Sequence, residues 1–121
     1  MVTEADFAAF TAVSLVQGST SNSVIFSPGG STDRHTLGVF AEAGLEGGGY
    51  DWQGAVHALA LDRDEDLPNR FRFDSEAGMF CAYGTDLAAL HAVAGLVEEL
   101  IADEALLRAS LVKAGEKDLL D

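Results

Sequence analysis

Apolar and polar positions alternate along this chain in blocks short enough to read element by element. Residues 7–17, Phe-Ala-Ala-Phe-Thr-Ala-Val-Ser-Leu-Val-Gln, are apolar and rich in β-formers, and predict a strand, with the alanines leaving a helix open. A Gly/Ser/Thr/Asn turn at 18–22 follows, then Ser23–Ser27, carrying Val24, Ile25 and Phe26, reads as a second strand. Pro28, Gly29 and Gly30 stop it. The short connection predicts an antiparallel hairpin.

Helical spacing comes next. Ser31, Thr32 and Asp33 are three candidate N-caps for a helix running to Ala43, with Leu37, Phe40 and Ala41 on one face. Gly44 stands where a left-handed glycine ends such a helix, and Leu45 where its hydrophobic contact belongs. Asp51 is placed to cap a second helix, about Trp52–Leu61, with Trp52, Val56, Leu59 and Ala60 as its apolar stripe. The stretch Gly-Leu-Glu-Gly-Gly-Gly at 44–49 therefore joins two helices.

The charged run Asp62–Asp66 reads as a solvated connector ending at Pro68 and Asn69. Phe71 and Phe73 alternate with Arg70, Arg72 and Asp74, the period-two pattern of a strand with one buried face. Asp74–Gly78 turns the chain and Met79–Tyr83 returns as a fourth strand. Thr85 and Asp86 open a long helix to about Ala102, with Leu87, Leu90, Ala94, Val97 and Ile101 on its face. Asp103 caps a last helix to about residue 113 or 114, and the final Glu-Lys-Asp-Leu-Leu-Asp is expected to fray. The order ββ-αα-ββ-αα predicts a single α+β domain over 1–121: a roughly four-stranded antiparallel sheet with helices on one face. The pattern leaves the strand order open.

Charge narrows the class of partner. Twenty acids against seven bases give −13, while 48% hydrophobic content and a mean hydropathy of +0.14 fit a globular chain. Such a chain is repelled by nucleic acid and anionic membrane and attracted to a basic protein. The acidic start Met-Val-Thr-Glu-Ala-Asp is unlike a signal peptide, no apolar run suits a membrane span, and the lone Cys81 builds no disulfide framework. The expected location is the cytoplasm.

Candidate chemistry is thin. The glycine-rich loop follows a helix, lacks lysine and carries Glu46 and Asp51, so it is no phosphate loop. His35, His57 and His91 have no metal-motif spacing, and no metal or cofactor is expected. Cys81 lies inside a strand, where cysteine behaves as a small hydrophobe, and no Gly-x-Ser-x-Gly elbow occurs. Acids beside aromatics instead suit a protein-binding surface. The densest such material is Glu46, Tyr50 and Asp51 in the loop, with Asp64, Glu65 and Asp66, alongside Asp62, in the connector. Gly44, Gly47, Gly49 and Gly78 are expected to serve backbone geometry, and Trp52 the core.

Two segments, Ala43-Gly-Leu-Glu-Gly-Gly-Gly-Tyr-Asp-Trp52 and Phe73-Asp-Ser-Glu-Ala-Gly-Met-Phe-Cys-Ala-Tyr83, resemble the immunity protein 51 family of bacterial polymorphic toxin systems. The likeness resides in a Gly-Tyr/Leu-Glu-Gly-x-Gly-Tyr-Asp-Trp element and an Asp-x-Glu-Ala-Gly-Met-Phe element. It covers roughly residues 7–102. Gly48 stands where the family has asparagine, and Ser75 where proline is common. The resemblance implies a cytoplasmic antidote that binds a cognate toxin and blocks it without catalysis. It carries over no catalytic residues. The charge adds that a basic toxin, such as a nuclease, would suit so acidic an antidote. Two other readings stay open: a small enzyme using Cys81 or a histidine, and a ligand-binding module with a pocket lined by Tyr50, Trp52 and Phe80.

Overall fold

Two hairpins distant in the chain meet in one antiparallel sheet. The structure is a computed structural model and describes residues 1–120. Strands β1 (Ser14–Gln17) and β2 (Asn22–Phe26) form the first hairpin, β3 (Arg72–Phe73) and β4 (Phe80–Gly84) the second. Their order is β1-β2-β4-β3, so the second strand of each hairpin lies at the centre. The β2–β4 register sets Val24 opposite Ala82 and Phe26 opposite Phe80. All four are buried, and the pleat puts them on one face. Helices pack on that face, giving the α+β architecture read from the sequence.

The helices are α1 (Leu37–Glu42), α2 (Gly49–Arg63), α3 (Leu87–Ala102) and α4 (Glu104–Glu116). Central among them is α2, in contact with β4, α3 and α4. Its predicted stripe of Trp52, Val56, Leu59 and Ala60 is buried, but so are Gly54, Ala55 and Ala58. Small residues on its remaining sides let neighbours approach closely. Both later caps stand as the sequence predicts: Asp86 accepts from the Ala89 N–H and Asp103 from the Leu106 N–H, each at 3.1 Å.

Four local expectations are corrected. Phe7–Gln17 is not one strand, because Glu4–Ala9 is a 3-10 helix and the strand begins at Ser14. Phe7 is drawn into the core, where its ring packs edge-on against His91, and Glu98 on α3 takes the N–H groups of Thr11, Ala12 and Val13. The predicted 31–43 helix is a 3-10 turn at Arg34–Thr36 running into α1, since Asp33 is buried with its carboxylate on the Gly29 and Gly30 N–H groups behind it. Asp51 does not cap α2; Gly48 occupies that position, and Asp51 sits in the first turn, accepting from the Gly47 N–H at 2.9 Å. The tail does not fray at Glu116. Asp118 turns with φ of 59°, the Leu119 N–H donates to the Ala114 carbonyl at 2.8 Å, and Leu120 packs on the core beside Gly54. Asp121 lies outside the described residues.

Candidate functional site

The glycine-rich loop is shaped by the second hairpin. Helix α1 ends in a Schellman motif: Gly44 has φ of 76°, its N–H donates to Ala41, and the Leu45 N–H donates to Phe40. Gly47, at φ of 81°, lies against the ring of Phe40. Gly48 and Gly49 are then pressed on the 74–79 turn. A Cβ on Gly48 would stand 2.5 Å from the Ala77 carbonyl oxygen, and one on Gly49 would overlap the carbonyls of Glu76 and Met79. The Gly49 N–H donates to the Ala77 carbonyl at 2.9 Å.

The turn is rigid in its own right. Glu76 and Met79 exchange backbone bonds of 2.8 and 3.1 Å, and the Cys81 N–H donates to the Ser75 hydroxyl at 3.1 Å. Gly78 has an ordinary φ with open space around its Cα, so this geometry asks nothing of glycine there.

Side chains leave this junction in two directions. Trp52 points inward, wholly buried, with Phe26 and Phe40 ring centroids at 5.0 and 5.2 Å. Its indole N–H has no hydrogen-bond partner, a burial that costs about 1–3 kcal/mol. Glu46 and Tyr50 face solvent, Tyr50 at 46% exposure, and Asp51 is half-buried. With Gly48 and Ala77 they line a shallow depression of about 190 Å³. Asp74 and Glu76, exposed on the adjoining turn, add acids that motif-free sequence reasoning had not singled out. The signal was available in the second family-like segment. Among the described residues, Glu46, Asp51, Asp74 and Glu76 are in no ion pair.

Asp64, Glu65 and Asp66 lie elsewhere. They follow the far end of the fifteen-residue α2, roughly 22 Å from its start at 1.5 Å per residue. All three are exposed. Asp64 accepts from the Asp66 N–H and Asp66 from the Asn69 amide, so both shape the corner they stand on. Asp62 is not connector at all; it lies in the last turn of α2 and holds Lys113 at 2.8 Å, which keeps its carboxyl below the usual range. The structure does not bring the two acidic groups together.

Bases are largely spoken for. Arg63 pairs with Glu99, Arg70 with Asp86, and Arg108 with Glu42 and Glu104. Exposed pairs of this kind add little stability, but they leave the unpaired acids to dominate the surface potential.

Cys81 and the three histidines sit in separate surroundings. Burial, reinforced by Asp74, pushes the Cys81 thiol above its ordinary pKa, away from the reactive thiolate. The histidines face separate neighbours: His35 the Ile101 carbonyl at 2.6 Å, His57 the ring of Phe73, and His91 those of Phe7 and Phe10. Burial lowers the pKa of His57. Among the described residues no three His, Cys, Asp or Glu side chains gather as a metal site. Tyr50 opens to solvent while Trp52 and Phe80 are enclosed in the core, so these three do not share a ligand pocket.

Residues 31–116 match the family described as immunity protein 51. The chain belongs to that family. The matched span holds α1 through α4, the second hairpin and both segments whose backbones lock together at Gly49 and Ala77. Membership in immunity protein 51 makes a toxin its kind of partner. No protein of curated function and no solved structure matches the chain. No described helix is long and apolar enough to cross a membrane.

Proposed function

We propose that this immunity protein acts in the cytoplasm, binding one cognate toxin and neutralising it without catalysis, by covering its working surface. Contact centres on the depression lined by Glu46, Tyr50, Asp51 and Ala77. One observation carries this reading: the two family segments meet at Gly49 and Ala77, and there Glu46 and Asp51 line a depression beside an exposed tyrosine. Tyrosine is a favoured interface anchor, and unpaired acids around it complement a basic partner. Such a toxin is basic, as a nuclease surface is. The Asp64–Asp66 corner supplies steering charge at a distance rather than contact.

Co-expression with the toxin encoded beside it tests the reading. Wild-type protein is expected to protect cells and to form a complex that weakens as salt rises. The pair Glu46→Lys with Tyr50→Ala is expected to lose protection while remaining folded. Purified proteins that fail to associate would refute the function. Full protection by the folded double variant would move the contact to another face.

A further inference from the structure

None of the twenty acids, seven bases or three histidines lies between Phe7 and Thr32. In a chain of net charge −13, both strands of the first hairpin are therefore free of ionisable side chains. Strand β1 is also an edge of the sheet, pairing with β2 alone. Its residues Ser14, Val16 and Gln17 are exposed, Val16 at 47%.

Proteins usually blunt such edges with lysine, proline, a bulge or extreme shortness. The opposite edge follows that practice: β3 has two residues, carries Arg72, and follows Pro68 and Arg70 closely. Strand β1 has neither charge nor proline. It presents Ser-Leu-Val-Gln, three of the four residues exposed, with the Glu4–Ala9 3-10 helix as its neighbour on the other side.

We propose that β1 is a self-association edge, on which a second copy of this chain pairs antiparallel to give one sheet continuous across a two-fold axis. An antiparallel strand pair is its own complement under such an axis. The faces stay matched when the axis passes at a residue rather than between two. About Val16, it sets that side chain against its symmetry mate on the open face, where Val16, Ser23 and Tyr83 form a cross-strand row.

Charge selects the occupant. A basic toxin gains nothing electrostatic from an uncharged edge, and its complementary surface is elsewhere. A second copy is repelled by most of this protein's surface, and the uncharged hairpin is where two copies meet with least repulsion. One acid reaches the edge: Glu4 accepts a hydrogen bond from Gln17. Its approach to its counterpart makes the pairing salt-sensitive in a definite direction. Screening this repulsion strengthens the dimer as salt rises, the opposite of the toxin complex.

Sedimentation velocity of the full chain reads the outcome. A concentration-dependent dimer is expected at about 100 µM, tightening several-fold between about 50 mM and about 500 mM salt. Val16→Lys restores the usual edge guard and is expected to weaken the dimer by about tenfold or more, with fold and toxin neutralisation retained. A wild-type chain that stays monomeric at both salt concentrations overturns the proposal, as does a dimer indifferent to Val16→Lys. A monomeric wild type whose Val16→Lys variant loses toxin binding would instead assign this edge to the toxin. Because the two associations have opposite salt dependence, failure of one leaves the other intact.

Discussion

Glu98 holds Thr11 across 87 positions of sequence: its carboxylate accepts from the Thr11 N–H at 3.0 Å and from the Thr11 hydroxyl at 2.8 Å. The same side chain takes the N–H groups of Ala12 and Val13, so one acid on α3 moors the segment that leads into β1. Hydrogen bonds to a charged acceptor contribute about 1.5–3 kcal/mol each when buried, and less with partial exposure.

Removing that mooring is the first prediction. Glu98→Ala is expected to destabilise the protein by about 2–3 kcal/mol, with faster amide exchange confined first to the N-terminal segment. Denaturant unfolding followed by the fluorescence of the single, fully buried Trp52 gives the stability. Unchanged exchange at Thr11–Val13 would show that the segment is held by Phe7 alone.

Acid should loosen the same contact. Burial raises the Glu98 pKa, but the bonds from Thr11, Ala12 and Val13 together outweigh it and leave the net value below the ordinary 4.5. A depressed carboxylate contributes stability that is present above its unfolded value and lost as pH falls through its folded value. Stability is therefore expected to drop below about pH 4.5, and Glu98→Gln to show a shallower drop there than wild type. Parallel acid limbs in the two proteins would remove Glu98 from the effect.

Glycines of this chain divide sharply by what surrounds them. Gly49→Ala drives a methyl into the Glu76 and Met79 carbonyls and is expected to cost about 3 kcal/mol or prevent folding. Gly78→Ala meets open space at an ordinary φ and is expected within about 0.5 kcal/mol of wild type. Thermal melts of the two variants side by side check the contrast.

The same logic separates two helical glycines. Gly54→Ala on α2 would push against Leu120 and the Leu119 carbonyl, releasing the tail at an expected loss of about 1–2 kcal/mol. Gly95→Ala on α3 meets nothing within 4 Å and is expected to stabilise by about 0.5–1 kcal/mol. Opposite signs from one substitution type would place the tail firmly on α2.

Charge reversal distinguishes contact from steering. Asp64→Lys, Glu65→Lys and Asp66→Lys together are expected to slow toxin association about tenfold at low salt while leaving dissociation unchanged. Stopped-flow association at two ionic strengths reads this. A faster dissociation instead would place the corner inside the interface.

Local chemistry in the sequence determined the element order, the inward faces of α2 and α3, the Asp86 and Asp103 caps, and the left-handed turn at Gly44. Each depends on residues within a few positions of one another, so spacing alone reveals it. Periodicity also marked Phe71 and Phe73 as apolar positions, although the strand keeps only Arg72–Phe73 and Phe71 is buried just before it. What the sequence did not carry depends on partners far along the chain. Thr11–Val13 left the sheet because Glu98 competes for their N–H groups, and the tail docked because Gly54 leaves it room. Strand order followed from the pairing of β2 with β4 across the two hairpins, a choice no hairpin makes alone. The candidate site shows the division most plainly. Its two segments were legible as motifs, and the predicted helix already set Asp64–Asp66 beyond its far end, but only folding pressed Gly49 against Ala77. Backbone contact at that range leaves no periodic trace; it leaves glycines, whose reason becomes visible once the neighbouring carbonyls are in place.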